Sequence, residues 1–320
     1  MNAGLTSTDY RLADHDVGGS DLAVVIPTRG RWATLQITLS ALSAQTEQCF
    51  ETVVVVDGED QEVPELPGVR VLQQERAGPG VARNRGATAT SCPLVLFLGD
   101  DMVPDEELIA RHLAQHRRCP TSEVAVLGRV VWHPSVPRDR LHEWLDWSGA
   151  LFDFPPGPTD DAGWSRCYSS NLSVKQALFA ATGGFDADFV AADYEDLDLG
   201  WRLGQKGMRL VYEPRAVTRH LHPYDWDALV RRYQSRAGAE RLMMEKHDWF
   251  EPWFYNQLTA AQHQRRVSRV WLAAVDRIPR GGGRVRRAIE KRADRYYCQQ
   301  LAPAFLAAWE GATNRQVPRT

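Results

Sequence analysis

Hydrophobic and polar positions alternate along this chain in a pattern that predicts strands and helices in turn. Short β-branched runs at 22–27 (LAVVIP) and 52–57 (TVVVVD) are typical of strands buried on both faces of a parallel sheet. A second unit follows, with a strand at 69–74 and a helix that Pro79 begins. This alternation predicts an α/β fold, with a mostly parallel, open sheet and helices on both faces. The helix between the first two strands is carried by apolar residues at helical spacing: Trp32, Leu35, Leu39 and Leu42.

A further strand is predicted in the stretch 94–102 (LVLFLGDDM), in which five apolar residues lead into an acidic pair, Asp100 and Asp101. Two like charges side by side destabilise each other's ionised form unless a cation joins them. Ligands bind beyond the carboxyl ends of the strands in such sheets, so we expect the acidic pair and Asp57 at a ligand-binding rim. The pair could also cap the helix predicted at 104–116 or face solvent. At a rim, however, it suits a hard divalent cation, Mg2+ or Mn2+, which takes carboxylate oxygens together with substrate phosphates.

The pattern changes in the middle of the chain. Residues 133–170 contain five prolines and few apolar runs, which predicts a long loop over the rim of the sheet. Periodicity then returns, and a helix that ends at Gly207 is predicted to have Asp193 as its N-cap. Glu195 and Asp196 fall in its first turn, where a carboxylate stays ionised and suits a base that deprotonates a hydroxyl. Capping alone is the competing interpretation of these acids.

Two other segments could carry chemistry. In the extended segment that contains His220 and His222, both imidazoles would point to one side. They are either solvated histidines at a strand end, or one of them joins a cation beside Asp101. The segment 77–87 (AGPGVARNRGA) is a weak phosphate-binding signal, to which Arg83 adds a cation.

Composition places the chain among ordinary globular proteins, since 43% of its residues are hydrophobic and 25% are charged. No apolar run approaches the roughly 18 to 20 residues of a membrane-spanning helix, and the first 20 residues are polar. We therefore expect a soluble, cytoplasmic protein. The five cysteines are widely spaced and odd in number, which predicts reduced thiols and neither a disulfide framework nor a zinc site.

Charge is distributed unevenly along the chain. Residues 223–320 contain 18 Lys and Arg against 10 Asp and Glu, a local net charge of +8, whereas residues 1–222 carry −11. We accordingly expect a flexible segment at 1–20, an α/β body at 21–222 and a basic helical region at 223–320. That region also holds five of the 11 tryptophans. It could pack on the body or on a second copy as a homodimer, or dock peripherally on the anionic inner face of a membrane. Its interspersed acids and the lack of a binding motif argue against nucleic acid.

The motifs, taken in order, resemble the family 2 glycosyltransferases, whose fold is called GT-A. The resemblance covers about residues 21–222 and is specific because seven segments occur in the expected order: VVIPTRGR, VVVVDG, GPGVARNRGA, FLGDDMVP, NLSVKQALFAATGGFD, YEDLDLGWRLGQKGMRLVYEP and RHLHP. It implies transfer of a sugar from a UDP-, GDP- or dTDP-linked donor to a saccharide, lipid-linked or small-molecule acceptor hydroxyl. Inversion at the anomeric carbon and a requirement for Mg2+ or Mn2+ are also implied.

The resemblance also implies roles for individual residues. Asp196 matches the general base, with Glu195 as a supporting acid, and Asp101 and Asp100 match the metal-binding motif, with one of His220 and His222 as a third ligand. Asp100 is also implied to approach the nucleotide. The segment that meets the nucleotide is matched by Pro27, Thr28 and Arg29, together with Asp57 and Arg83. The pocket for donor and acceptor is matched by Asn171 and the turn of Gly183, Gly184 and Phe185.

Two departures from the family pattern qualify the site. Family members commonly carry a first acid where this chain has Gly99, which makes Asp101 the firmer metal ligand. The second strand ends VDGED, one residue shorter than usual, so the nucleotide base does not follow from the sequence. A non-catalytic sugar-nucleotide-binding relative is the alternative function. A dinucleotide-dependent dehydrogenase would need GxGxxG directly after the first strand, where this chain has PTRGRW.

Overall fold

The structure is a computed structural model that describes residues 17–58, 62–191, 193–268, 270–271 and 283–313. Residues 1–16, most of the expected flexible N-terminal segment, lie outside the described residues, as do Glu59 and Asp60 of the VDGED segment. The described residues divide into two units. The first comprises 17–136 and 154–222, and the second comprises 137–153 and 223–313.

The first unit is built on a mixed sheet in which the described residues form eight strands, in the order β3-β2-β1-β4-β7-β6-β8-β5. β3, β2, β1 and β4 run parallel, as the sequence predicts, and β7 is antiparallel to both β4 and β6. β8 is parallel to β6 and antiparallel to the short β5. The strands are β1 (Leu22–Thr28), β2 (Glu51–Asp57), β3 (Arg70–Gln74), β4 (Leu94–Leu98), β5 (Met102–Pro104), β6 (Val124–Trp132), β7 (Asn171–Lys175) and β8 (Arg209–His220).

Helices cover this sheet because its central strands are apolar on both faces. All five residues of β4 are buried, and the ring of Phe97 lies 5.1 Å from that of Phe179 and 5.3 Å from that of Phe185. At roughly 25 cal/mol per Å2 of apolar surface removed from water, burial of each ring contributes several kcal/mol to the free energy of folding. The helices of this unit are α1 (Trp32–Ser43), α2 (Pro79–Thr88), α3 (Leu108–Arg118), α5 (Gln176–Ala181) and α6 (Glu195–Gln205).

The second unit is helical, with α4 (Arg140–Trp147), α7 (Trp226–Lys246), α8 (Trp253–Gln262) and α9 (Arg284–Thr313). Buried Glu240 on α7 accepts hydrogen bonds from the backbone N–H groups of Phe254 (2.8 Å) and Tyr255 (2.9 Å). It thereby pairs amides that the first turn of α8 cannot pair internally. No helix of the described part combines the length and the hydropathy that a membrane span requires.

The structure differs from the sequence prediction in two places, one a helix that was not predicted and the other the start of a helix. The segment predicted as a loop at 133–170 contains α4, in which Leu141, Trp144 and Leu145 are buried at helical spacing. The sequence did not predict this helix, because its eight residues give only a weak periodic signal and prolines lie on both sides of it. Pro104 ends β5 instead of beginning a helix, and α3 starts at Leu108.

Candidate active site

The acidic pair after β4 is joined by a cation that belongs to the chain itself. Arg31, at the start of α1, donates from Nε to Asp100 Oδ2 (3.1 Å), from Nη2 to Asp100 Oδ1, and from Nη1 to Asp101 Oδ2 (2.7 Å). Thr28 Oγ1 also donates to Asp100 Oδ2, at 2.7 Å. β1 and β4 are parallel neighbours, so the residues that follow them meet at one edge of the sheet. The repulsion that the sequence exposes is thus offset by Arg31.

The two carboxyls of the pair have different environments. Burial raises the pKa of Asp100, against the opposing charge of Arg31. Burial also acts to raise the pKa of Asp101, but the imidazole of His220 and the charge of Arg31 outweigh it and hold that pKa below its usual range. Asp101 is therefore the carboxyl that stays ionised most firmly, and Asp100 is the one that anchors Arg31.

The structure brings His220 to the acidic pair. Its Nε2 lies 3.5 Å from Asp101 Oδ2, and its ring stacks on that of Trp132 with 5.1 Å between centroids. The pairing of β5 with β8, with Met102 opposite His220, brings the two side chains together. His222, two residues further along the chain, is exposed.

Asp101 supplies a carboxylate oxygen, which suits Mn2+ or Mg2+, and His220 supplies an imidazole nitrogen, which suits a transition-metal ion such as Mn2+ better than Mg2+. In the described part of the chain, no group of three or more His, Cys, Asp and Glu side chains is arranged to hold a metal ion. A cation would therefore take two protein ligands here and fill its remaining positions with water and ligand phosphates, as such ions commonly do. Asp101 and His220 therefore fit the ion if water and phosphate oxygens complete its coordination. Asp100 stays with Thr28 and Arg31.

Asp57, at the end of β2, shapes the turn that leads into α2. Its Oδ1 accepts from the backbone N–H of Ala77 (2.8 Å) and from Gln74 Nε2 (3.0 Å), and its Oδ2 accepts from the N–H of Gly78 (3.0 Å). Gly78 has φ +96°, and a Cβ there would lie 2.4 Å from the carbonyl oxygen of Val190. Only glycine fits this turn without strain.

The segment after β1 lies at the same edge of the sheet. Thr28 is buried against Asp100, Pro27 is half-buried and Arg29 is exposed.

At the start of α6 two acids share one cation. Glu195 is buried, and its Oε1 lies 3.3 Å from Nη1 of Arg83 on α2. Burial first, and then the charge of Asp196, raise the pKa of Glu195 to about 8. The guanidinium of Arg83 also lies over the ring of Phe185, 5.4 Å from its centroid. The acid at 195 is therefore poised to hold a proton at neutral pH.

Asp196 has one oxygen fixed and one unpaired. The backbone N–H of Ser169 donates to Oδ2 at 3.0 Å, while Oδ1 is buried and has no hydrogen-bond partner among the described residues. Burial raises the pKa of Asp196, opposed by the charge of Arg83. The N-cap is Tyr194, in a left-handed conformation with φ +69°, and not Asp193 as the sequence predicts. A buried, unpaired carboxylate oxygen is unusual and calls for a hydrogen-bond donor.

Asn171 does not present a free amide to a pocket. It is fully buried; its Oδ1 lies 2.9 Å from Nε2 of His112, and its Nδ2 donates to the carbonyl oxygens of Arg129 (3.2 Å) and Ala216 (2.9 Å). Burial lowers the pKa of His112 to about 4, so its imidazole is neutral at pH 7. The amide of Asn171 thus links strands and α3.

The turn after α5 does require its glycines. Gly183 and Gly184 have φ +78° and +72°, and a Cβ on Gly184 would lie 2.4 Å from Asn84 Oδ1. Asn84 holds the turn by accepting from the N–H of Phe185 and donating to its carbonyl oxygen, both at 2.8 Å.

Sequence reasoning missed three residues of this region: Arg31, Asn84 and Ser169. Arg31 had a usable signal, since a cation after β1 and carboxylates after β4 must meet if the two strands are parallel neighbours. Ser169 had none, because it acts through its backbone N–H.

Comparison with known proteins relates this chain to glycosyltransferases. Residues 23–177 match the family model described as Glycosyl transferase family 2. Over 229 residues the chain is 31% identical to validoxylamine A glucosyltransferase of Streptomyces hygroscopicus subsp. jinggangensis, covering 59% of this chain and 53% of that protein. Over 239 residues it is 29% identical to pre-mycofactocin glycosyltransferase of Mycobacterium tuberculosis, covering 71% of this chain and 48% of that protein. The chain thus spans about half the length of these curated relatives.

Two solved structures share the fold. TarS 1–349 of S. aureus in complex with UDP matches with a TM-score of 0.50 and 13% identity, covering 93% of both chains. The mannosyltransferase PcManGT of Pyrobaculum calidifontis, in complex with GDP-Man and Mn2+, matches with a TM-score of 0.50 and 16% identity, covering 93% of this chain and 76% of that one. The architecture is the GT-A fold.

Proposed function

We propose that this chain is a family 2 glycosyltransferase that moves a sugar from a nucleotide diphosphate sugar to an acceptor hydroxyl, with inversion at the anomeric carbon. The match of residues 23–177 to the model of that family supports the proposal. The UDP and GDP-Man complexes of two proteins with this fold support a nucleotide diphosphate donor. The relatives named for validoxylamine A and pre-mycofactocin support a small-molecule acceptor, with saccharide and lipid-linked hydroxyls as the other classes.

The unpaired Oδ1 of Asp196 carries this proposal. An acceptor hydroxyl that donates to this oxygen would satisfy it, with Oδ2 already fixed by Ser169 N–H. As the acceptor oxygen forms its bond to the anomeric carbon, the proton passes to Oδ1 and the bond to the departing diphosphate breaks. The pKa of Asp196, raised by burial, makes it a stronger base than an ordinary aspartate. One base suffices for a single displacement that inverts the configuration.

Other residues position the reactants. We assign the nucleotide to the edge formed by Pro27, Thr28 and Arg29 and by the turn that Asp57 holds. The two carboxyl groups at the start of α6 would repel each other if both were ionised. Glu195 holds its proton at neutral pH because its pKa is raised to about 8, and the charge of Arg83 favours the ionised form of Asp196.

Asp101 and His220 are the residues that would hold Mg2+ or Mn2+, and the bound ion would supply positive charge to the diphosphate as it departs. The Mn2+ in the PcManGT complex supports this assignment. The pKa of Asp101 is held below its usual range by His220 and Arg31, so this carboxylate is ionised at neutral pH and can act as a ligand.

For residues 223–320 we propose one of two contacts. The region docks on the anionic inner face of a membrane, or it packs against a second copy of the chain. The exposed side chains of Trp226, Trp249 and Trp253 support a contact surface. Flotation of the full chain with anionic and neutral liposomes, next to sedimentation at rising protein concentration, separates the two.

The test begins with a thermal-shift screen of nucleotide sugars, since a ligand of the folded state raises its melting temperature. With the donor found, release of nucleotide diphosphate is followed for wild type and for Asp196→Asn. We expect release to fall by about 100-fold or more while donor affinity stays within about twofold, because only the base is lost. Asp188→Asn, an exposed acid on the preceding loop, serves as the control.

A non-catalytic sugar-nucleotide-binding protein is the second candidate, favoured by Gly99 in place of the usual first acid. It predicts donor binding without turnover in the wild type. Near wild-type transfer by Asp196→Asn would instead overturn the assignment of the base.

A further inference from the structure

Arg31 makes unequal contacts with the two members of the acidic pair. It holds Asp100 through both Nε and Nη2, a two-point contact, and holds Asp101 through Nη1 alone. Thr28 adds a further bond to Asp100. Two-point arginine–carboxylate contacts are the stronger kind. Arg31 can therefore leave Asp101 while it remains anchored on Asp100.

The single contact falls on the carboxylate that would hold a metal ion. Oδ2 of Asp101 is shared by Nη1 of Arg31 (2.7 Å) and Nε2 of His220 (3.5 Å). A guanidinium is always protonated in proteins, so it opposes a divalent cation on the same carboxylate. Binding of the ion to Oδ2 of Asp101 would thus compete with the Nη1 contact of Arg31.

A diphosphate would favour release of that contact. The side chain of Arg31 is 44% exposed, and three of its five N–H groups are used on the acidic pair within the described residues. Phosphate oxygens accept from arginine with the same fork geometry as carboxylates. A diphosphate that draws Nη1 away from Asp101 would also bring oxygens to the ion.

We propose that Arg31 is the resident counter-cation of Asp101, which the divalent ion displaces, and that this competition couples metal binding to nucleotide binding. The ion alone then binds weakly, and nucleotide diphosphate strengthens its binding by the same factor by which the ion strengthens nucleotide binding. This proposal rests on the proposed function only for the identity of the nucleotide. The competition for Asp101 concerns the metal alone.

The test measures free Mn2+ by electron paramagnetic resonance in titrations of the full chain without nucleotide. We expect Arg31→Gln to bind Mn2+ at least about tenfold more tightly than wild type, because loss of a neighbouring cation shifts ionic equilibria by a decade or more. UDP or GDP, whichever raises the melting temperature, should strengthen Mn2+ binding less in the variant than in wild type.

Controls separate this outcome from others. Asp101→Asn in the Arg31→Gln background should abolish the gain. Arg118→Gln, which removes an exposed ion pair with Asp160, should leave Mn2+ affinity unchanged. Arg31→Lys keeps a cation but loses the planar fork that contacts both carboxylates, and it should give intermediate affinity. This variant preserves the test if Arg31→Gln does not fold.

Equal or weaker Mn2+ binding by Arg31→Gln, or tight binding of Mn2+ alone by the wild type, would overturn the proposal. Weaker binding would mean that Arg31 merely positions the carboxylates for the ion. If no nucleotide binds, the proposed function fails, yet the Mn2+ titrations still decide the role of Arg31.

Discussion

Nη1 of Arg83 donates a buried hydrogen bond of 3.3 Å to Oε1 of Glu195, a residue 112 positions away in the chain. Asp196 follows Glu195 directly, so one guanidinium serves two carboxyl groups. Burial of such a set disfavours two negative charges at once. One of the carboxyls, Glu195, accordingly keeps its proton up to about pH 8.

This raised pKa predicts how stability depends on pH. Glu195 titrates at about 8 in the folded state and at its ordinary 4.5 when exposed, so between these values the folded state holds a proton that the unfolded state releases. The free energy of unfolding therefore decreases as pH rises from 4.5 to about 8, by at most about 1.4 kcal/mol per pH unit. Glu195→Gln cannot ionise, and its melting temperature should increase relative to wild type across that window.

Melting temperatures of both proteins at half-unit steps of pH check this expectation. Glu107→Gln, at an exposed acid paired with Arg111, should follow the wild-type curve. A constant difference between Glu195→Gln and wild type at every pH would contradict the raised pKa.

Gly78→Ala should distort the turn that Asp57 holds. An alanine there combines the strain of φ +96° with a Cβ placed 2.4 Å from the carbonyl oxygen of Val190. We expect a loss of about 1–3 kcal/mol from the backbone conformation, with a further loss from the clash, and weaker nucleotide binding. Gly68→Ala is the matched control, since φ is +74° and nothing lies within 4 Å. Equal destabilisation of the two variants in urea unfolding would show that the backbone at Val190 shifts to make room for the added Cβ.

Asn171→Ala should act on stability and not on ligand binding. It leaves His112 and the carbonyl oxygens of Arg129 and Ala216 without their buried partner, a loss we place at about 2–4 kcal/mol. Urea unfolding measures that loss, and the exposed Asn256→Ala should change stability by less than about 0.5 kcal/mol. Donor affinity of the folded variant should match that of wild type. A loss of donor affinity without a loss of stability would instead show that Asn171 lines the donor pocket, as the family resemblance implies.

Much of the α/β body follows from local patterns. The strand predicted within 94–102 is present as β4 (Leu94–Leu98), because a short apolar run that ends at a turn is typical of a strand buried on both faces of a sheet. α4 escaped prediction among prolines, and the antiparallel pairing of β7 with β4 and β6 could not be inferred either. Strand order depends on how distant segments pack, and a single strand's pattern is compatible with several neighbours.

Local sequence patterns were sufficient to predict that carboxylates follow apolar strands, that acids begin the helix that stops shortly before Gly207, and that the motifs occur in the order of a known family. These are properties of short segments, set by periodicity, turn chemistry and composition. The folded chain was needed to show that Arg31 joins Asp100 and Asp101, that His220 is the histidine beside Asp101, and that the amide of Asn171 bonds within the sheet and to α3. Each is a contact between residues far apart in the chain, which depends on strand order and register and on competition among partners for one buried charge.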